Sequence, residues 1–201
     1  MKKLTVIGLI LALVVQSRAQ EREYQTLVDF DQVRISGMAG PFMQFTMVDG
    51  EFAHMMGGGG AVMVGDFWFG GYGLGLTNRI QVDVSRYQDY RVGDYLSVSH
   101  GGFWLGYSLF GDKPIHVAIS SLIGWGQVGV GHEYGYNIYQ DGMFVVCPTV
   151  EVELNLTRFF RLGAGASYNL FTLVDPANIP GYRSSDFSAP GGFLSFKFGW
   201  F

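Results

Sequence analysis

Between Phe144 and Leu170 the sequence alternates apolar and polar residues with a period of two, twice in succession and almost without a break. In the first run Phe144, Val146, Pro148, Val150, Val152 and Leu154 share one face, and Val145, Cys147, Thr149, Glu151, Glu153 and Asn155 share the other. In the second run Phe160, Leu162, Ala164, Ala166, Tyr168 and Leu170 oppose Arg161, Gly163, Gly165, Ser167 and Asn169. Successive side chains of a β-strand point to opposite faces, so this pattern is that of two consecutive strands. Both runs reach the roughly 9–11 residues that a tilted strand needs to cross a bilayer. The apolar face is therefore expected to meet lipid, with the glutamates and Arg161 turned inward.

The start of the chain fits export. Met1-Lys2-Lys3 is a charged opening, Leu4 to Val15 an apolar core, and Ser17-Arg18-Ala19 a small-x-small cleavage pattern, so residues 1–19 read as a signal peptide. Residues 20–37 are expected to be a polar periplasmic lead-in, and 38–201 the folded domain. Only 15% of the residues are charged, against roughly a quarter in a soluble domain, while 30 are glycine, 17 phenylalanine and 11 tyrosine. No run of about 18 apolar residues follows the signal, so any crossing is expected to be made by strands. A net charge of −4, with no basic patch, argues against a nucleic-acid partner. Cys147 is the single cysteine, so barrel closure instead of an internal disulfide is expected to hold the exported chain.

Further strands are expected at 40–48, 52–64, 67–78, 96–110, 115–128 and 191–201, making eight with the opening pair. Asp49-Gly50 is a hairpin signal, and the glycine run Gly57 to Gly60 suits close approaches inside a tight barrel. The connections at 65–66, 111–114 and 156–159 are short, whereas 79–95, 129–142 and 171–190 are long and polar. That asymmetry belongs to an outer-membrane barrel, with short periplasmic turns and long extracellular loops. The fold class expected is thus all-β, an eight-stranded antiparallel transmembrane β-barrel with its surface in outer-membrane lipid.

The residues also carry a resemblance. The chain is similar to the small eight-stranded outer-membrane β-barrel proteins of Gram-negative bacteria, in the OmpA/OmpX architectural group. Gly40-Pro41-Phe42, Gly70-Gly71-Tyr72-Gly73-Leu74, Glu153-Leu154-Asn155-Leu156-Thr157-Arg158-Phe159-Phe160-Arg161 and the terminal Phe196-Lys197-Phe198-Gly199-Trp200-Phe201 resemble barrels of the Bacteroidetes. The terminal aromatic implies a signal for the barrel-assembly machinery as a partner in biogenesis. It departs in parity, since Gly199, Lys197 and Ser195 stand where apolar residues are expected.

The main constellation for chemistry is the inward set Glu151, Glu153, Arg161 and Lys197, joined by His116. With a turn at 157–159, Asn155 faces Arg161 and Glu153 faces Gly163, which leaves Arg161 diagonal to Glu153. Side chains fill an eight-stranded barrel, and buried charges there must pair, so an ion network that closes the lumen is expected. A hydrolase built on Ser167, His116 and Glu151 lacks a local motif. The four histidines lack a metal-ligand spacing, and Gly71 to Gly75 lacks a phosphate-loop spacing, so no catalytic residue, cofactor or metal is expected. Tyr87, Tyr90, Arg91, Tyr134, Tyr136 and Tyr182 are the candidates for binding an extracellular ligand through the loops. The function expected is structural or surface-interacting without a reaction, the alternatives being a narrow pore or a lipid-modifying enzyme of the outer membrane.

Overall fold

A computed structural model of the chain describes residues 34–132 and 137–201. Among these residues the strands are β1 (Ile35–Val48), β2 (Glu51–Val64), β3 (Phe67–Leu76), β4 (Ile80–Gln81), β5 (Tyr95–Leu109), β6 (Ile115–Gly131), β7 (Asn137–Asn155), β8 (Phe160–Thr172) and β9 (Ala189–Gly199), with a short helix α1 (Ser184–Phe187). The order β3-β2-β1-β9-β8-β7-β6-β5 is antiparallel throughout, and β3 pairs back onto β5. Eight strands therefore close into a barrel, while β4 only adds two residues to the rim of β5. Closure leaves no edge strand exposed to lipid, where an unpaired backbone group is costly.

Burial runs opposite to that of a soluble protein. Glu151 is 1% exposed while its neighbours Val150 and Val152 are 51% and 50% exposed, and the same alternation holds around the barrel. Such an arrangement is stable only where the surrounding solvent is hydrocarbon. The barrel is therefore of the outer-membrane type, spanning the bilayer with its strands. The parity expected from the sequence for β7 and β8 is the one observed, and His116 and Lys197 point into the lumen as expected. Inside, Phe42, Trp68 and Trp104 pack together, with ring centroids 5.6 Å apart for Phe42 and Trp104 and 5.9 Å for the two tryptophans. Gly59 makes room for them, since a Cβ there would stand 3.1 Å from both Phe42 and Trp104.

The ends of the strands differ from expectation. Residues 129–142 were expected as a polar loop, yet β6 runs to Gly131 and β7 begins at Asn137. The reason is that a strand rising above the lipid needs no apolar outer face, so Gln127, Gly129 and Gln140 carry no strand pattern while the ladder continues. Val128 and Val130 still point inward and are fully buried. Likewise β1 begins at Ile35 instead of Gly40, and β9 ends at Gly199. The expected signal peptide, most of the lead-in, and Glu133, Tyr134 and Tyr136 lie outside the described residues. Asp49 and Gly50 both take positive φ, 53° and 78°, as a tight two-residue hairpin requires. The mouth with the short turns, where β1 starts and β9 ends, is the periplasmic one in barrels of this type, and the other is extracellular.

Candidate functional site

The lumen charges come from adjacent strands in the register expected. Asn155 faces Arg161 and Glu153 faces Gly163 across β7 and β8, while Arg161 faces Lys197 across β8 and β9. Lys197 is the centre of the group. Its Nζ donates to Glu151 Oε1 at 3.1 Å and closely to Glu153 Oε1. Ser195 donates its hydroxyl to the other oxygen of Glu151. Glu153 Oε2 also meets His116 Nε2 at 2.8 Å and Arg161 Nη1 at 3.7 Å. The expected partner of Glu153, Arg161, is therefore its most distant one.

A glycine lets Glu151 reach Ser195 two strands away. Gly163 lies between Glu153 on β7 and Ser195 on β9, and any Cβ on it would press on both Glu151 Oε2 and Ser195 Oγ. Without a side chain on the middle strand, groups two strands apart meet across it. Gly165 allows close approach of the Val150 carbonyl. Lys197 Nζ also lies 4.9 Å from the Trp68 ring and 5.2 Å from the Trp104 ring, so the ammonium is held between carboxylates and indoles. Two carboxylates against Lys197 and Arg161 balance, as a dry interior demands.

A neutral polar layer follows toward the extracellular side. Gln44 Nε2 donates to Asn169 Oδ1 at 2.9 Å and Ser167 Oγ at 3.0 Å, and lies 3.2 Å from the Cys147 sulfur. Ser167 thus belongs to Gln44, His116 to Glu153 and Glu151 to Lys197. The three residues do not form a relay. Each histidine has a separate partner: His54 has Thr77, His100 has Tyr72, His116 has Glu153 and His132 has Asp94.

Above this layer the loops pack into a cap. Phe171, Phe187, Tyr182, Tyr90, Tyr139 and Tyr87 form a chain of ring contacts with centroids 5.6–6.5 Å apart. Tyr90 donates its hydroxyl to the Pro180 carbonyl at 2.6 Å, and burial pushes the Tyr182 hydroxyl up to about 12. Tyr90 and Tyr182, candidates for binding an extracellular ligand, are 5% and 0% exposed and hold the cap together. A tyrosine-rich loop reads the same from sequence whether its rings face a ligand or one another. Arg91 does face water, and Tyr87 is partly exposed. Sequence reasoning missed Arg86, whose guanidinium binds Asp49 closely, Asp186 at 3.3 Å and the Gly181 carbonyl at 3.0 Å, and stacks 4.7 Å from the Tyr182 ring. Nothing in a single sequence pairs residues of three separate connections.

No family model and no curated protein matches the sequence. Solved structures do. The chain is similar to Neisserial surface protein A, with a TM-score of 0.59 at 12% identity over 83% of this chain and 96% of that one. It is also similar to Ail, the attachment invasion locus protein of Yersinia pestis, in its complex with the heparin analogue sucrose octasulfate. There the TM-score is 0.50 at 10% identity over 84% of this chain and 99% of Ail. At these identities the likeness is one of fold.

Proposed function

We propose that this barrel carries no reaction, stays closed to ions, and meets partners at the outer rim of its cap. The observation that carries the reading is closure at two levels, the charge lattice around Lys197 below and the aromatic cap around Tyr90 and Tyr182 above. Among the described residues the rim exposes Asp83, Asp89, Asp175 and Glu51, with Asp141 half-buried beside Asp175, against Arg79, Arg91 and Arg183. Such an excess of carboxylates suits a neutral or cationic partner, not a sulfated polymer of the kind whose analogue was captured on Ail. Tyr87 and Arg91 are the contact residues on this face, and the terminal strand Phe196 to Phe201 is the segment offered to the assembly machinery. Planar-bilayer recording of the refolded protein tests the reading. The expected result is no sustained current, and a steady open conductance would replace it with the narrow-pore alternative.

A further inference from the structure

The periplasmic mouth holds a cavity of about 560 Å³, bounded on one side by Arg161 at the edge of the lumen lattice. Its floor is Arg161 and Asn155, which face one another in the β7–β8 register, and its rim includes Arg34 and Arg158. Arg161 is 5% exposed, and its guanidinium is only partly engaged: Nη2 donates to the Gly111 carbonyl at 3.3 Å, Nη1 is 3.7 Å from Glu153, and the Phe201 ring lies 3.9 Å from Cζ. Its Nε is buried without an acceptor. Beside it Asn155 Oδ1 is buried without a donor. The Asn155 amide is fixed in that sense, because its Nδ2 donates to the Lys113 carbonyl at 2.7 Å and the Gly111 carbonyl at 3.1 Å. A buried donor and a buried acceptor left open on facing residues are costly unless something satisfies both.

We infer that this vestibule is a binding site for a phosphate oxyanion that carries an adjoining proton donor. The oxyanion accepts from Arg161 Nε under the charges of Arg34 and Arg158, neither of which forms an ion pair among the described residues. The donor serves Asn155 Oδ1, and Asp66 and Asp112 on the same rim favour a ligand that brings hydrogen or an ammonium along with its negative charge. Hydrogen phosphate has this chemistry, and so does the ethanolamine phosphate headgroup of a lipid in the adjacent leaflet.

The test uses the exported protein in a phosphate-free non-ionic detergent, titrated separately with inorganic phosphate and with dihexanoylphosphatidylethanolamine, while the Arg161 Nε–H resonance is followed. Saturable movement of that resonance supports the site. Saturation by inorganic phosphate identifies a free anion as the source, and saturation by the lipid alone identifies a headgroup. Arg161→Lys keeps the charge but loses Nε, and is expected to weaken affinity about tenfold, the worth of one charge-assisted hydrogen bond. Arg34→Gln/Arg158→Gln alters only exposed rim residues and is expected to weaken it roughly fivefold as read by calorimetry, so the inference stays testable if the lysine variant does not fold. No saturation with either probe below about 50 mM, or a rim double variant that binds like the wild type, overturns it.

Discussion

At the periplasmic end of the tube Lys197 joins two carboxylates that β-ladders hold in register, whereas at the extracellular end Arg86 joins Asp49 and Asp186, which sit on a turn and on a helix in a loop. Both cations reach two acids and both lie near aromatic rings. Their surroundings differ. The side chains of Lys197, Glu151 and Glu153 are at most 3% exposed, while that of Arg86 is 28% exposed. Where the backbone is fixed by hydrogen bonds on both sides, only the side-chain entropy remains to be lost, and a dry charge lattice can be assembled. Loops have no ladder, and there the rings supply the adhesion while one long side chain ties the connections together. Buried charge in a rigid frame should therefore break hard, and the half-wet clamp should break softly.

The largest effect is expected at Lys197. Lys197→Ala leaves Glu151 and Glu153 side by side in the lumen without the ammonium they share and should destabilise the barrel by about 3–5 kcal/mol in urea unfolding. Arg161→Ala, which removes the 3.7 Å contact to Glu153 together with the bond to the Gly111 carbonyl and the stack on Phe201, should still cost only about 1–2 kcal/mol. In a cycle with Glu153→Ala, the Lys197 pair should couple more strongly than the Arg161 pair. The reverse ranking would return Arg161 to the centre of the network.

Next in size is the lipid face. Val150→Arg and Ala164→Arg should each cost about 2–4 kcal/mol if they sit at the bilayer midplane, with smaller penalties toward the rims. Because Val150 adjoins Glu151 in sequence, the position of this maximum along β7 also gives the depth of the charge lattice. A flat profile from Val146 to Leu154 would mean that this face does not lie in hydrocarbon.

How far the sequence reached follows from the same physics. Alternation in β5 to β9 is legible because lipid outside and a packed lumen inside impose opposite demands on neighbouring residues such as Val150 and Glu151. The same rule lapses above the membrane, which is why β6 and β7 outrun their apolar pattern past Gln127 and before Met143. Within the lumen, the Asn155–Arg161 register was legible because one turn fixes it. The dominance of Lys197 was not, since it depends on contacts with Glu151 and Glu153 two strands away. The cap was least legible, because Asp49, Arg86 and Asp186 meet only through tertiary packing.

Arg86→Ala should cost only about 1 kcal/mol globally, as expected of half-exposed pairs, yet raise hydrogen exchange across 173–188 and expose Tyr182. Global unfolding at the level of Lys197→Ala would erase the distinction between the two closures.

The smallest effect is expected at Asp49. Burial, the leading cause, holds its carboxyl above the ordinary 3.8 even though Arg86 beside it pulls the other way. A raised value in the folded protein means that the native state binds the proton more tightly than the unfolded chain. The stabilisation from this proton is complete below the unfolded value and is lost as pH rises through the folded one. At neutral pH the ionised Asp49 therefore carries a burial cost that its pairing with Arg86 does not fully offset. Asp49→Asn should change stability by less than about 0.5 kcal/mol at pH 7, because the amide keeps the backbone bond from Asp49 N to the Asp186 carbonyl, 2.6 Å long, without that cost. Wild type should gain cap protection relative to the variant as pH falls toward 4, read by hydrogen exchange at the β1–β2 turn. If Asp49→Asn opened the cap as fully as Arg86→Ala at pH 7, the ion pair would outweigh burial, and the clamp would work by the same means as the lattice below it.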